Sequence, residues 1–185
     1  MQINIRTNFP EVAKALGDVQ DKLASQVLAR SLNRTIEQAR TEMSRLIRAE
    51  YNLSASYVRE RLAIRKAWAS AGQFSLSAEL RGGDGKRRSA NVVAFGARKV
   101  SGGVSVVIRK RNRKVIKGAF IGNKGRTVFK RDSAARLPIS PVQTIDVAQM
   151  FNTRRINAAV QAAMHAKFPA IFQRELAFAM SRLNR

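Results

Sequence analysis

The chain has 185 residues, and its 35 Lys and Arg against 12 Asp and Glu give a formal net charge of +23 at pH 7. A hydrophobic content of 45% is that of a globular protein, so we expect a single domain, residues 1–185. The absence of cysteine excludes disulfides and thiol chemistry, and a single histidine argues against the usual His-based metal sites. The positive charge predicts an anionic partner, which is nucleic acid, an anionic membrane or an acidic protein.

The first segment, residues 1–70, is predicted to be a helical arm. Residues 3–5 alternate apolar and polar side chains, which favours a short edge strand before the helix. Pro10 suits the first turn of a helix, and apolar residues at spacings of three and four continue the helical pattern to about residue 50. The pattern predicts one long helix, or two helices with a bend near Gly17, which is a weak helix former.

A second, short helix is predicted over residues 55–63, with Ser54 as its N-cap. Trp68, the only tryptophan, lies just beyond this helix. Because no second aromatic residue is spaced to stack beside it, we expect Trp68 to be a core or subunit-contact residue rather than a base-stacking platform.

Residues 73–131 are predicted to form an antiparallel meander of about five strands. The side chains of residues 73–80 alternate with period two, and further strands are predicted over residues 91–95 and 127–130. No segment long enough for a helix separates these strands, which favours an antiparallel sheet over a parallel one.

The remaining two strands form a strongly basic hairpin. Fifteen Lys and Arg and no acidic residue lie between residues 86 and 131. Alternating β-branched residues flank a polar connector that contains Asn112, which is typical of two strands and a turn. So dense a cluster predicts a surface that meets phosphates or an acidic protein, although a solvated loop is the alternative. The basic residues at the tip are Arg109, Lys110, Arg111, Arg113 and Lys114.

The last part of the chain is predicted to be an extended linker, residues 132–143, followed by amphipathic helices over residues 144–185. Two prolines interrupt the linker, and Thr144 or Asn152 is available to cap the first helix. Pro169 predicts a kink or a break in the helical pattern. The apolar stripe predicts packing within the protein or between subunits; it includes Phe168, Phe172, Leu176 and Leu183.

Motifs for catalysis are missing, so we do not expect an enzyme. The RGGDGKRR segment has Leu80 and Arg87 where a phosphate-binding P-loop requires Gly and Ser or Thr. The few acidic residues lie mostly among arginines, and His165 has no titratable residue four positions away on its helix. We expect no cofactor. Neither a signal sequence nor a membrane-spanning run is present, which predicts synthesis in the cytoplasm and no membrane insertion.

Five segments occur in an order that resembles the minor tail protein Z, or tail-completion, family of long-tailed bacteriophages and prophages. They are LARSLNRTIEQAR, YVRERLAIRKA, KGAFIGNKGRTVFKR, LPISPV and FPAIFQRELAFAMSRL. They are distributed along the sequence, so the resemblance covers nearly the whole chain. The most specific parts are residues 118–121, Gly125, residues 128–131 and residues 137–139.

This resemblance implies a structural virion protein that acts in tail completion near the head-tail junction. It implies other tail or neck proteins as partners and a homo-oligomeric ring that is a hexamer by analogy. In a protein at that position, the basic hairpin predicts contact with double-stranded DNA or with an acidic neighbouring tail protein. The family has no catalytic residues to transfer. The residues alone leave a second class open, a free nucleic-acid-binding protein that would bind DNA or RNA as a monomer in a salt-dependent manner.

Overall fold

The computed structural model describes residues 2–5, 21–70, 73–83 and 89–183, and it has the α+β architecture that the sequence predicts. The predicted helix start at Pro10 and the bend at Gly17 lie outside the described residues. The helices are α1 (Asp21–Glu50), α2 (Ala55–Glu60), α3 (Val147–Phe151) and α4 (Arg154–Leu183), with a 3₁₀ helix at Val92–Phe95. None of the described helices is long and apolar enough to cross a membrane.

The described strands form several small antiparallel sheets, whereas a single meander was expected. Each described strand has only three to five residues, and each sheet has two or three strands. The strand orders are β1-β5-β2, β3-β4, β13-β6, β7-β8-β9 and β10-β11-β12. The strands are β1 (Gln2–Ile5), β2 (Leu62–Arg65), β3 (Trp68–Ser70), β4 (Gln73–Ser75), β5 (Ala78–Gly82), β6 (Ser89–Asn91), β7 (Arg98–Val100), β8 (Gly103–Val107), β9 (Arg113–Lys117), β10 (Ala119–Gly122), β11 (Thr127–Arg131), β12 (Ile139–Pro141) and β13 (Gln143–Ile145).

The two long helices, α1 and α4, pack along each other and form the centre of the core. Each contributes apolar side chains at spacings of three and four, so each buries one continuous face. In α1 the fully buried residues include Leu32, Ile36, Ala39, Met43 and Ile47, and in α4 they include Val160, Met164 and Phe168. The buried strand residues, such as Leu80 and Val104, belong to the same core.

The arm before residue 70 departs from the helical prediction. Ser54 caps α2 by accepting a hydrogen bond from the backbone N–H of Tyr57, as predicted, but the helix ends at Glu60 rather than at residue 63. The chain then forms β2, because Leu62–Arg65 pairs with β5, which is distant in sequence. The predicted edge strand at residues 3–5 is confirmed as β1, which pairs with the other side of β5.

Two predicted strands were wrong in detail. The strand predicted over residues 73–80 is divided into β4 and β5. Residues 91–95 form β6 only up to Asn91 and then a 3₁₀ helix, because the Asn91 side chain accepts a hydrogen bond from the backbone N–H of Val93 and so caps a helical turn. Gly96, with φ of +70°, ends that turn in the left-handed conformation.

The linker and the last helix also differ from expectation. Residues 132–143 include β12 and the start of β13, and Thr144 lies within β13. Asp146 caps α3 in a capping box with Gln149, while Asn152 is the C-cap of the same helix. The helix α4 runs without interruption through Pro169, so the predicted break does not occur.

Two asparagine side chains each bond both the backbone N–H and the backbone C=O of one distant residue, as a neighbouring strand would. Asn33 accepts a hydrogen bond from the N–H of Ala67 and donates one to its C=O, both at 2.8 Å. Asn91 does the same for Val128, at 2.9 and 3.0 Å. These paired bonds join α1 to the residue that precedes β3, and β6 to β11, so they link parts of the fold that no ladder connects.

Candidate functional site

The basic hairpin predicted from the sequence is present as β8 and β9. The two strands pair antiparallel, with Val107 opposite Arg113 and Gly103 opposite Lys117. Val104 and Val106 face the core and are buried. Because the inner face is anchored by these valines, the connector at residues 108–112 projects from a fixed base.

All five predicted basic residues are exposed at this tip, and none of them takes part in an ion pair with a described residue. Arg111 has φ of +68°, an uncommon conformation for a residue with a side chain. The turn closes where the backbone N–H of Asn112 donates to the C=O of Arg109 at 3.1 Å. The tip is therefore a tight turn that gathers five cationic side chains within six residues: Arg109, Lys110, Arg111, Arg113 and Lys114.

The tip is attached to the C-terminal end of α1. The backbone N–H of Lys110 donates to the C=O of Glu50 at 2.9 Å, and the N–H of Asn52 donates to the C=O of Ile108 at 3.0 Å. The Arg109 guanidinium carbon lies 5.7 Å from the ring centre of Tyr51, which is itself buried. These contacts fix the position of the tip relative to the helical core.

This attachment also places the tip at the negative end of a helix dipole. A helix C-terminus carries a partial negative charge, which favours cations such as Arg109 and Lys110. The carboxylate of Glu50, the last residue of this helix, is bound by Arg155. The helix end thus stabilises the position of the basic tip while the tip keeps its full formal charge.

The register of the sheet adds two basic residues that the sequence analysis did not identify. Arg98 on β7 lies opposite Ser105 on β8, and Arg113 on β9 donates a hydrogen bond to the same hydroxyl at 3.3 Å. Alternate residues of a strand share a face, so Lys117, four positions after Arg113, lies on the same face of β9 as Arg113. Arg98, Arg113 and Lys117 therefore form one outward face. Only the register could reveal this, because Arg98 lies well outside the hairpin in sequence.

Basic residues without an ion pair are concentrated in the strand-rich part of the fold. Twelve Lys and Arg lie between Arg98 and Arg131, and none of them forms an ion pair with a described residue. Every acidic side chain that the structure describes is already engaged. Asp132 accepts a hydrogen bond from Ser140, and the others form ion pairs: Glu37, Glu42, Glu50, Glu60, Glu79, Asp146 and Glu175.

A cavity of about 180 Å³ lies beside the hairpin tip. Val106 and Ile108 provide its apolar lining, and Arg109, Lys114 and Asn112 line the rest. A cavity of this composition suits a small anionic group with an apolar stem. Across the described residues no group of three or more acidic or histidine side chains could hold a metal ion.

The predicted packing residues lie in two different environments. Trp68 is 49% exposed, so it is not a core residue and is free to contact another subunit. Phe168 and Phe172 are buried, with ring centres 6.2 Å apart, and Leu176 is partly buried beside the core. Leu183 ends α4, and its side chain lies outside the described part of the structure.

Comparison with known proteins gives one match. The family model described as prophage minor tail protein Z (GPZ) matches residues 11–185. The match covers the long helices, strands β2 to β13 and the basic hairpin. No curated protein sequence and no solved structure matches the chain significantly.

Proposed function

Because the chain belongs to the prophage minor tail protein Z family and is thus a structural protein of the phage tail, we propose that it completes the tail at its head-proximal end and that its basic hairpin contacts the genome there. The observation that carries this proposal is the fixed, unpaired cluster of cations at residues 109–114. A flexible cluster would lose conformational entropy on binding, whereas this tip is already held by α1.

The chemistry of the tip suits phosphates rather than bases. Arginine and lysine side chains neutralise backbone phosphates and release counterions, which gives binding without sequence preference. The described part of the hairpin offers no free aromatic platform beside the cations, because Tyr51 is buried and Arg109 lies over its ring. Contact with double-stranded DNA therefore accounts for the site without any reading of sequence.

We propose further that the protein acts as a homo-oligomeric ring, a hexamer by analogy with other tail proteins. The exposed side chain of Trp68 supports a subunit contact, because aromatic residues such as Trp are enriched at protein-protein interfaces. A ring would place one basic hairpin per subunit around a common axis.

The test replaces Arg109, Arg111 and Arg113 with Ser in the full-length protein. Arg154, Arg174 and Arg182, which are exposed on α4, are replaced with Ser in a control that removes the same charge. If the hairpin contacts DNA, hairpin-substituted particles contain the protein but retain or deliver DNA poorly. The isolated hairpin variant binds DNA with a weaker salt dependence, whose slope falls by about 0.9 for each phosphate that is no longer neutralised. The control variant behaves like the native protein.

A second candidate partner is an acidic neighbouring tail protein, which the partly apolar cavity beside the tip favours. Under that hypothesis the hairpin variant is absent from otherwise assembled tails, and the genome contact is then rejected. A free nucleic-acid-binding protein is the remaining alternative. It requires tight, salt-dependent binding by the monomer together with absence of the native protein from purified particles.

A further inference from the structure

The sheet formed by β10, β11 and β12 is a different sheet from that of the hairpin, and its outward face carries partly exposed apolar side chains. Its inner face includes Val128 and Ala119, which are buried in the core. Register pairs Phe120 with Phe129 and Phe129 with Pro141, so these three residues share the opposite face. An antiparallel sheet with one buried face normally has mostly polar residues on the other. On this face the only polar side chains of the three strands are those of Thr127 and Arg131.

Basic residues border this apolar face. Arg131 lies opposite Ile139 on the same face, and its guanidinium carbon is 5.1 Å from the ring centre of Phe120. Arg126 and Arg136 are exposed in the turns at the two ends of β11. The only acidic residue nearby among those described, Asp132, accepts a hydrogen bond from Ser140 at 2.6 Å.

The arrangement of the rings argues against nucleic acid as the occupant. Stacking of bases requires free aromatic planes. The rings of Phe120 and Phe129 stack on each other, with centres 5.9 Å apart, and Arg131 lies against Phe120. The face therefore offers ring edges and aliphatic surface, which suit the side chains of a protein.

The charges argue against a second copy of this chain as the occupant. Two such faces brought together would place Arg126, Arg131 and Arg136 against the same residues of the other copy. Nor do the described residues include a free acidic surface that a second copy could offer, because each described carboxylate is engaged within its own chain.

We infer that the outward face of the β10-β11-β12 sheet docks an acidic segment of a different tail protein, one that places apolar side chains on Phe120, Phe129 and Ile139 and carboxylates beside the bordering arginines. An apolar centre with a charged rim is the usual arrangement of a protein-protein interface. This surface does not depend on what the hairpin binds.

The first experiment places a photo-crosslinking benzoylphenylalanine at Ile139 in full-length protein incorporated into phage tails. The same residue at Ala166, exposed on α4, is the control position. The expected adduct from Ile139 joins this chain to a net-negative peptide of another tail protein, and this adduct is absent from the control. An adduct with a second copy, an adduct with DNA, or no adduct from incorporated protein overturns the inference. If the Ile139 variant does not fold, Leu137, which is 66% exposed, takes the probe.

A second experiment tests the charged rim. Arg126→Glu combined with Arg136→Glu is compared with Arg154→Glu combined with Arg182→Glu, which changes the charge equally on α4. All four side chains are exposed, so both proteins are expected to fold, and thermal unfolding checks this. Incorporation of the first variant into tails is expected to fall by about tenfold or more relative to the second. Equal incorporation of the two variants overturns the inference.

Discussion

The Nε atom of Arg34 on α1 lies 2.8 Å from Oε1 of Glu175 on α4. The two side chains differ in environment, since that of Glu175 is 4% exposed and that of Arg34 is 59% exposed. The ion pair crosses the edge of the main helix-helix interface. Glu175 lies in the mostly apolar buried face of α4, so its carboxylate needs this partner.

Arg34→Met is expected to lower the free energy of unfolding by about 1–3 kcal/mol, because it leaves the Glu175 carboxylate buried without its cation. Adding Glu175→Leu is expected to recover much of this loss. Urea denaturation of the two single variants and the double variant forms a double-mutant cycle that measures the coupling. Strict additivity of the two single effects would show that the pair contributes nothing.

Phe172→Asp is expected to destabilise the protein by at least about 3 kcal/mol, because Phe172 is buried against the α1 side of the core and stacks on Phe168. Gln173→Asp, one residue later and exposed, is the matched control and should change stability by less than about 0.5 kcal/mol. Truncation after Lys167 removes the same packing and should give insoluble protein or tails that fail to complete. Normal tails from the truncated protein would show that this end of α4 is not needed for folding or tail completion.

Pro169→Ala is expected to raise the free energy of unfolding by about 1–3 kcal/mol. Pro169 lies inside a continuous helix, where it lacks the N–H that would bond to the C=O four residues earlier. The converse change, Ala162→Pro, places a second proline at an exposed position inside this helix. It should lower the free energy of unfolding by about 3 kcal/mol. Thermal unfolding of both variants checks the prediction, and a Pro169→Ala protein no more stable than the native one contradicts it.

Gly103→Ala should loosen the hairpin and release its tip. A Cβ atom at this position would lie far inside van der Waals contact with the backbone oxygen of Ile116, so the pairing of β8 with β9 must shift. We expect this shift to lower the free energy of unfolding by about 1–3 kcal/mol. Hydrogen exchange of the Lys110 amide, which reports the bond to Glu50, should become faster. Gly102→Ala is the control: no described atom lies within 4 Å of its Cβ, and only the cost of its positive φ is expected. If the Lys110 amide exchanges at an unchanged rate in Gly103→Ala, the position of the tip does not depend on the register of β8 and β9.

The parts of the fold that local pattern determines were predicted well. The hairpin follows from alternating valines around Asn112, and α1 follows from an apolar period maintained over its 30 residues. Asn91 shows where local patterns compete, because the same side chain that ends a strand also caps a helical turn. A sequence pattern alone does not show which of the two conformations the rest of the fold selects.

Contacts between distant residues could not be predicted from the sequence. The formation of β2 depends on its pairing with β5. The position of the hairpin depends on the hydrogen bond from the backbone N–H of Lys110 to the C=O of Glu50, which is far away along the chain. Likewise, α4 tolerates Pro169 because Phe168 and Phe172, on either side of it, are buried in the core. Burial of two large aromatic residues, at about 1.5–3 kcal/mol each, offsets the cost of a proline in a helix.

The concentration of basic residues without an ion pair in the strand-rich part of the fold has a consequence for the order of assembly. Free copies of the protein approach one another with unpaired cations on the strand-rich half of each, so their encounters are slowed by repulsion, and most strongly at low salt. An acidic surface captures each copy singly and at an increased rate. For the ring proposed above, we therefore expect subunits to join one after another on the growing particle, and we expect few clusters of this protein to form in solution before the particle neutralises the charge of each arriving copy.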